Sequence, residues 1–89
     1  MVSFRNLSSE QVILSYWVNR TMCDVPVLHG STINIDNCTV GEWIIFSRKY
    51  ERIGKFWTKP SATGSISWIE DSMKVEYDGI NQTYILIDI

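Results

Sequence analysis

Long apolar runs are missing from this chain. The longest nearly apolar run, Val12 to Val18, is interrupted by Ser15 and falls far short of the roughly 20 residues of a membrane-spanning helix, so no membrane partner is expected. Histidine occurs once, cysteine and proline twice each, and glycine five times in 89 residues. Two cysteines do not make a disulfide framework. Cys23 and Cys38 are expected as reduced, partly buried thiols, with a single disulfide between them as the alternative. Sparse Gly and Pro beside 45% hydrophobic residues exclude collagen-like, low-complexity and disordered classes. The length has room for one domain, so residues 1–89 are read as a single small globular domain, too short for a multi-domain enzyme.

The residues that catalysis needs are equally scarce. No glycine-rich phosphate loop of the G-x-G-x-x-G or G-x-x-x-x-G-K-[ST] kind occurs, so backbone N–H groups are not arranged to cradle a phosphate. Zinc requires three or four ligands with close paired spacing, and Cys23, His29 and Cys38 include no C-x-x-C pair. Neither metal nor other cofactor is expected. His29 lies in the turn-like His29-Gly30-Ser31, where a solvated or hydrogen-bonded imidazole is the ordinary state. Glu70-Asp71 would point to opposite faces of a strand and so could not flank one scissile bond. The expectation is a protein that is not an enzyme.

Four of the five asparagines open an Asn-x-Ser/Thr triplet: Asn6, Asn19, Asn37 and Asn81. Such triplets accept glycans only on exposed loops of a secreted chain. The chain opens on no basic segment followed by an apolar stretch, and Asn19 falls in an expected helix. The triplets are therefore read as coincidence or cap chemistry. The expected location is cytoplasmic, with a secreted glycoprotein as the lesser alternative.

Ser8 followed by Gln11 forms a capping box, and Leu7 and Val12 sit where a hydrophobic staple would place them. The pattern predicts a helix from about Ser9 to Thr21, apolar along Ile13, Leu14, Trp17 and Val18. Thr32–Asp36 alternates with period two and reads as a strand. Residues Thr39–Trp57 carry two patterns. Trp43, Phe46, Tyr50, Ile53 and Trp57 make a helical stripe behind a Thr39/Glu42 capping box. The aromatic and β-branched run Trp43-Ile44-Ile45-Phe46 instead favours a strand, with a turn at Gly54-Lys55. The strand reading is preferred. Ser65–Glu70, Met73–Tyr77 and Gln82–Asp88 predict a three-stranded antiparallel meander, with Asp78-Gly79 beginning its second turn. The expected fold is α+β: an N-terminal helix packed on an antiparallel sheet of four to six strands that ends in this meander.

Charge is the uneven feature. The net charge is −2, yet residues 48–59 carry +4 while residues 1–47 carry −2 and residues 60–89 carry −4. Tyr50, Phe56 and Trp57 interleave with the cations. This composition suits either an acidic protein surface or the phosphates and bases of a nucleic acid. The bland alternative is a solvated face whose aromatics turn inward. Acidity elsewhere in the chain repels a long polyanion. The leading expectation is a binding module, a small inhibitor or regulator of the kind phages and mobile elements encode. It would dock on an acidic protein surface through Arg48, Lys49, Tyr50, Arg52, Lys55, Trp57 and Lys59. The alternative is a nucleic-acid-binding small β-barrel using the same residues. The final run, Tyr84–Ile89, still reads as a strand, so it either lies centrally in a sheet or offers an edge to a second copy as a homodimer.

Overall fold

The computed structural model describes residues 2–35, 41–57, 65–69 and 73–89. Among these residues it has nine strands and no helix. Strands β1 (Val2–Asn6), β4 (Thr32–Ile35), β8 (Met73–Asp78) and β9 (Thr83–Asp88) form one sheet in the order β4-β1-β9-β8. Strands β2 (Val12–Val18), β3 (Thr21–Val27), β5 (Glu42–Ser47), β6 (Arg52–Trp57) and β7 (Ser65–Ile69) form the other, in the order β3-β2-β5-β6-β7. All pairings are antiparallel except β1 with β9, which run parallel from Ser3↔Thr83 to Asn6↔Leu86.

The α+β expectation is therefore overturned: the protein is all-β. The segment expected as a helix from Ser9 to Thr21 is β2 and the turn into β3. Val12 and Leu14 are buried in the core and Tyr16 packs against it. This is the period-two face of a strand. The helical pattern arose because the opposite face also carries Ile13 and Trp17, so apolar residues from two faces were superimposed. Asn19 and Arg20, at φ 48° and 69°, make the tight two-residue turn that right-twisted hairpins favour. Val18 then faces Thr21, and Pro26 faces Ile13 across the β2–β3 ladder. Counting from that turn, the position of Pro26 directs its missing N–H away from β2. Proline is tolerated there because β3 is a sheet edge.

The core lies between the sheets. Phe4 and Tyr84 from the four-stranded sheet meet Trp43 and Phe56 from the five-stranded one. Ring centroids are 5.2 Å apart for Phe56–Tyr84, 5.5 Å for Trp43–Tyr84 and 6.4 Å for Phe4–Phe56. All four rings are at most 1% exposed. Buried aromatics supply much of the apolar area available to so small a chain.

Ser8 does not cap a helix. Its backbone N–H and its hydroxyl both donate to Asn6 Oδ1, at 2.9 and 2.5 Å. Asn6 Nδ2 donates to the carbonyls of Glu10 and Val27 at 2.7 and 2.9 Å. Asn6 is completely buried, so its side chain satisfies the polar groups of the β1–β2 connection. Leu7 is exposed and Val12 buried, so the staple does not form either. Turn chemistry accounts for the other described triplets as well: Asn19 occupies the left-handed turn, and Asn81 Nδ2 donates to Asp78 Oδ2 at 2.7 Å. Asn37 and Cys38 lie outside the described residues.

The strand alternative is the observed one for residues 41–57, although the hairpin turns at residues 48–51. Gly54 sits inside β6 opposite Ile45, next to a register shift. The expected three-stranded meander is only half present. β8 and β9 pair, with Lys74 and Glu76 exposed and Met73 and Val75 buried, while β7 pairs with β6 in the other sheet. Glu70 and Asp71 lie outside the described residues. β9 is flanked on both sides, by β1 and β8, which leaves its ladder no open edge.

Candidate functional site

β5 ends at Ser47 and residues 48–51 turn the chain into β6. Tyr50 N–H donates to the Ser47 carbonyl at 2.9 Å, closing a four-residue turn, and Ser47 N–H donates to the Glu51 carbonyl at 2.8 Å. The Ser47 hydroxyl oxygen accepts from the N–H groups of Lys49 and Glu51, each at 3.2 Å. Tyr50 adopts φ 61°. The geometry is a turn followed by a left-handed residue, a place that glycine fills without strain. A tyrosine there costs about 1–2 kcal/mol. Its ring lies on Phe46, with centroids 6.2 Å apart, yet Tyr50 remains 62% exposed.

The fold separates the residues expected to act together. Arg48, Lys49, Tyr50 and Arg52 are all exposed on the one hairpin end. Lys55 is set back along β6, its Nζ 3.5 Å from Glu42 Oε1, so its charge is partly spent within the sheet. Phe56 turns inward and is fully buried. Trp57 closes β6, where its backbone pairs with Glu42 and Ser65. Lys59 lies outside the described residues.

Beside Glu51, already counted within the positive segment, one further acidic group, Glu10, joins the site. An open cleft of about 610 Å³ lies beside the hairpin. One wall is Ser9, Glu10 and Gln11 from the β1–β2 connection, and the other is Ser47, Arg48, Lys49 and Glu51. The neighbouring walls follow from the register, since Val12 pairs with Ser47 and so brings the start of β2 to the end of β5. Glu51 was visible in the segment, but Glu10 is about 40 positions away and only strand pairing brings it in. The Ser9 N–H on the first wall donates to Asp88 Oδ2 at 2.8 Å, so the exposed charges at this end are three cations, Arg48, Lys49 and Arg52, and three anions, Glu10, Glu51 and Asp88. The concentrated positive segment of the sequence becomes, in space, a mixed surface with no excess of either sign.

His29 and Cys23 each approach a backbone carbonyl. His29 Nδ1 lies 2.5 Å from the Ser8 carbonyl, which as an acceptor requires the ring nitrogen to donate. Cys23 is half-buried in β3, its Sγ 4.0 Å from the Thr21 carbonyl. Among the described residues no three His, Cys, Asp or Glu side chains gather as a metal site would require. No known protein family, curated protein or solved structure matches the chain.

Proposed function

We propose that the protein is a non-enzymatic binding module, a small inhibitor or regulator that acts by occupying a partner protein through the β5–β6 hairpin. The observation that carries this reading is Tyr50. Arg20 and Gln82 also take positive φ in their turns, but Tyr50 alone of these is an aromatic among three cations, and unfavourable local choices concentrate at functional positions. Tyrosine and arginine are also the residue types that dominate contact energies. Tyr50 would supply the apolar contact, and Arg48, Lys49 and Arg52 would orient a partner whose facing surface is acidic overall. Lys55, already engaged by Glu42, would contribute least.

The test compares wild type with the triple variant Arg48→Ala, Lys49→Ala, Arg52→Ala as baits in lysate from the source cells, read by quantitative mass spectrometry. One captured protein should fall away with the variant while the melting temperature stays the same. An identical set of captured proteins would sink the reading. Titration with single-stranded oligonucleotide at low salt covers the rival. Tight binding whose salt slope becomes shallower in the variant would put nucleic acid in the partner's place. The carboxylates of Glu10 and Glu51 beside Arg48 and Lys49 weigh against that outcome, because they repel phosphate.

A further inference from the structure

The cleft beside the hairpin presents two cations, Arg48 and Lys49, and two anions, Glu10 and Glu51. All four side chains are exposed. The ion pairs formed among the described residues are Lys55–Glu42 and Lys74–Glu76, so none of the four neutralises another. Each is available to an incoming group. From this juxtaposition we propose that the cleft receives an extended peptide segment of alternating charge from the partner protein, rather than a uniformly acidic one. The inference rests on the docking role of the hairpin and specifies what docks there.

The geometry of extended chains explains the preference. In an extended segment successive side chains point to opposite sides. A segment of alternating Glu and Lys therefore has an acidic side and a basic side. Lying along the cleft, it would turn its acidic side to the hairpin wall, where Arg48 and Lys49 outnumber Glu51, and its basic side to the wall with Glu10, which Asp88 joins through Ser9. A uniformly acidic segment would meet Arg48 and Lys49 on the hairpin wall but place its remaining carboxylates against Glu10 and Asp88. A phosphate backbone would meet the same repulsion, with no cationic groups of its own to relieve it. Like-charge contact discriminates against wrong partners as much as opposite charge selects right ones.

The probes are fluorescent peptides of equal length, one alternating Glu and Lys and one all Glu, with an oligothymidylate for comparison, each titrated into the full chain at low salt and followed by anisotropy. The alternating peptide should bind about fivefold tighter than the all-Glu peptide, the effect of two or so exposed ion pairs. The double variant Glu10→Lys, Glu51→Lys should reverse that order, and Arg48→Glu, Lys49→Glu should remove binding of the all-Glu peptide. An alternating peptide that does not bind, or binds no tighter than all-Glu, overturns the inference, as does an order unchanged by Glu10→Lys, Glu51→Lys. If the all-Glu peptide binds tighter and Arg48→Glu, Lys49→Glu abolishes it, the inference fails while docking of an acidic partner on the hairpin survives. If the oligothymidylate outcompetes both peptides, the protein-docking reading fails with it.

Discussion

Substitution of Tyr50 would separate stability from the proposed docking role at a single position. Glycine at residue 50 would relieve about 1–2 kcal/mol of left-handed strain. It would also forfeit about 0.5–1.5 kcal/mol of ring contact with Phe46 and about 0.5–1 kcal/mol to the freer unfolded chain. These terms nearly cancel. Tyr50→Gly should therefore change stability by less than about 1 kcal/mol in urea unfolding, while abolishing capture of the partner. A loss above about 2 kcal/mol would instead show that Tyr50 holds the hairpin together and is not there for contact. The same scale shows why the sequence exposed some of the site and hid the rest. Arg48, Lys49, Tyr50 and Arg52 are neighbours in the chain and stay neighbours at one hairpin end. Lys55 and Phe56 belong to the same run, but alternation along β6 sends Phe56 to the core and sets Lys55 against Glu42. Glu10 has no local signature at all.

At the scale of elements, the β8–β9 turn is the clearest electrostatic unit. Asp78 Oδ2 accepts from Asn81 Nδ2 at 2.7 Å, and Oδ1 accepts from the N–H groups of Ile80 and Asn81 at 3.0 and 3.3 Å. The Asn81 side chain first, then its backbone N–H and that of Ile80, hold the Asp78 carboxyl below the usual aspartate range against a smaller opposing effect of desolvation. A depressed folded-state value stabilises the fold above the unfolded aspartate value, and the contribution disappears as pH falls through the folded one. Thermal melts between neutral pH and pH 2 should therefore show Asp78→Asn losing less stability on acidification than wild type. Parallel acid limbs for the two proteins would exclude Asp78 as a contributor. The Asp78-Gly79 turn was legible because turn chemistry is local. The hairpin at Asn19-Arg20 was not, because neither residue is glycine and both faces of β2 are apolar. β1 also escaped notice: five residues carry little periodicity, and its place is set by β9 at the far end of the chain. β7 was recognised as a strand but assigned to the wrong sheet, since its partner is β6 rather than its successor.

For the whole molecule, the two sheets share one aromatic centre and should be lost together. Phe56 touches Phe4, Trp43 and Tyr84, two of them on the opposite sheet. Phe56→Ala should remove about 3–5 kcal/mol, a large part of the total stability of a domain this size. Far-ultraviolet circular dichroism and tryptophan fluorescence should report the same shifted midpoint in urea, as expected for one cooperative unit. Separate midpoints would mean that the sheets unfold independently and the cross-sheet rings couple them weakly.

The parallel pairing of β1 with β9 also constrains how the chain reaches this state. Ser3 lies opposite Thr83, so closing that ladder joins segments about 80 positions apart and carries a loop-closure entropy that a hairpin does not. β2 and β3 can zip from their own two-residue turn as soon as both are available. β1 has β4 on one side but waits for β9 on the other. During synthesis the β2–β3 and β5–β6 hairpins can assemble first, while β1 has no partner on its β9 side until that strand emerges. Contacts this distant in sequence make for slow folding. The interval during which β1 lacks β9 is when this chain is most open to pairing with a neighbour that is not itself.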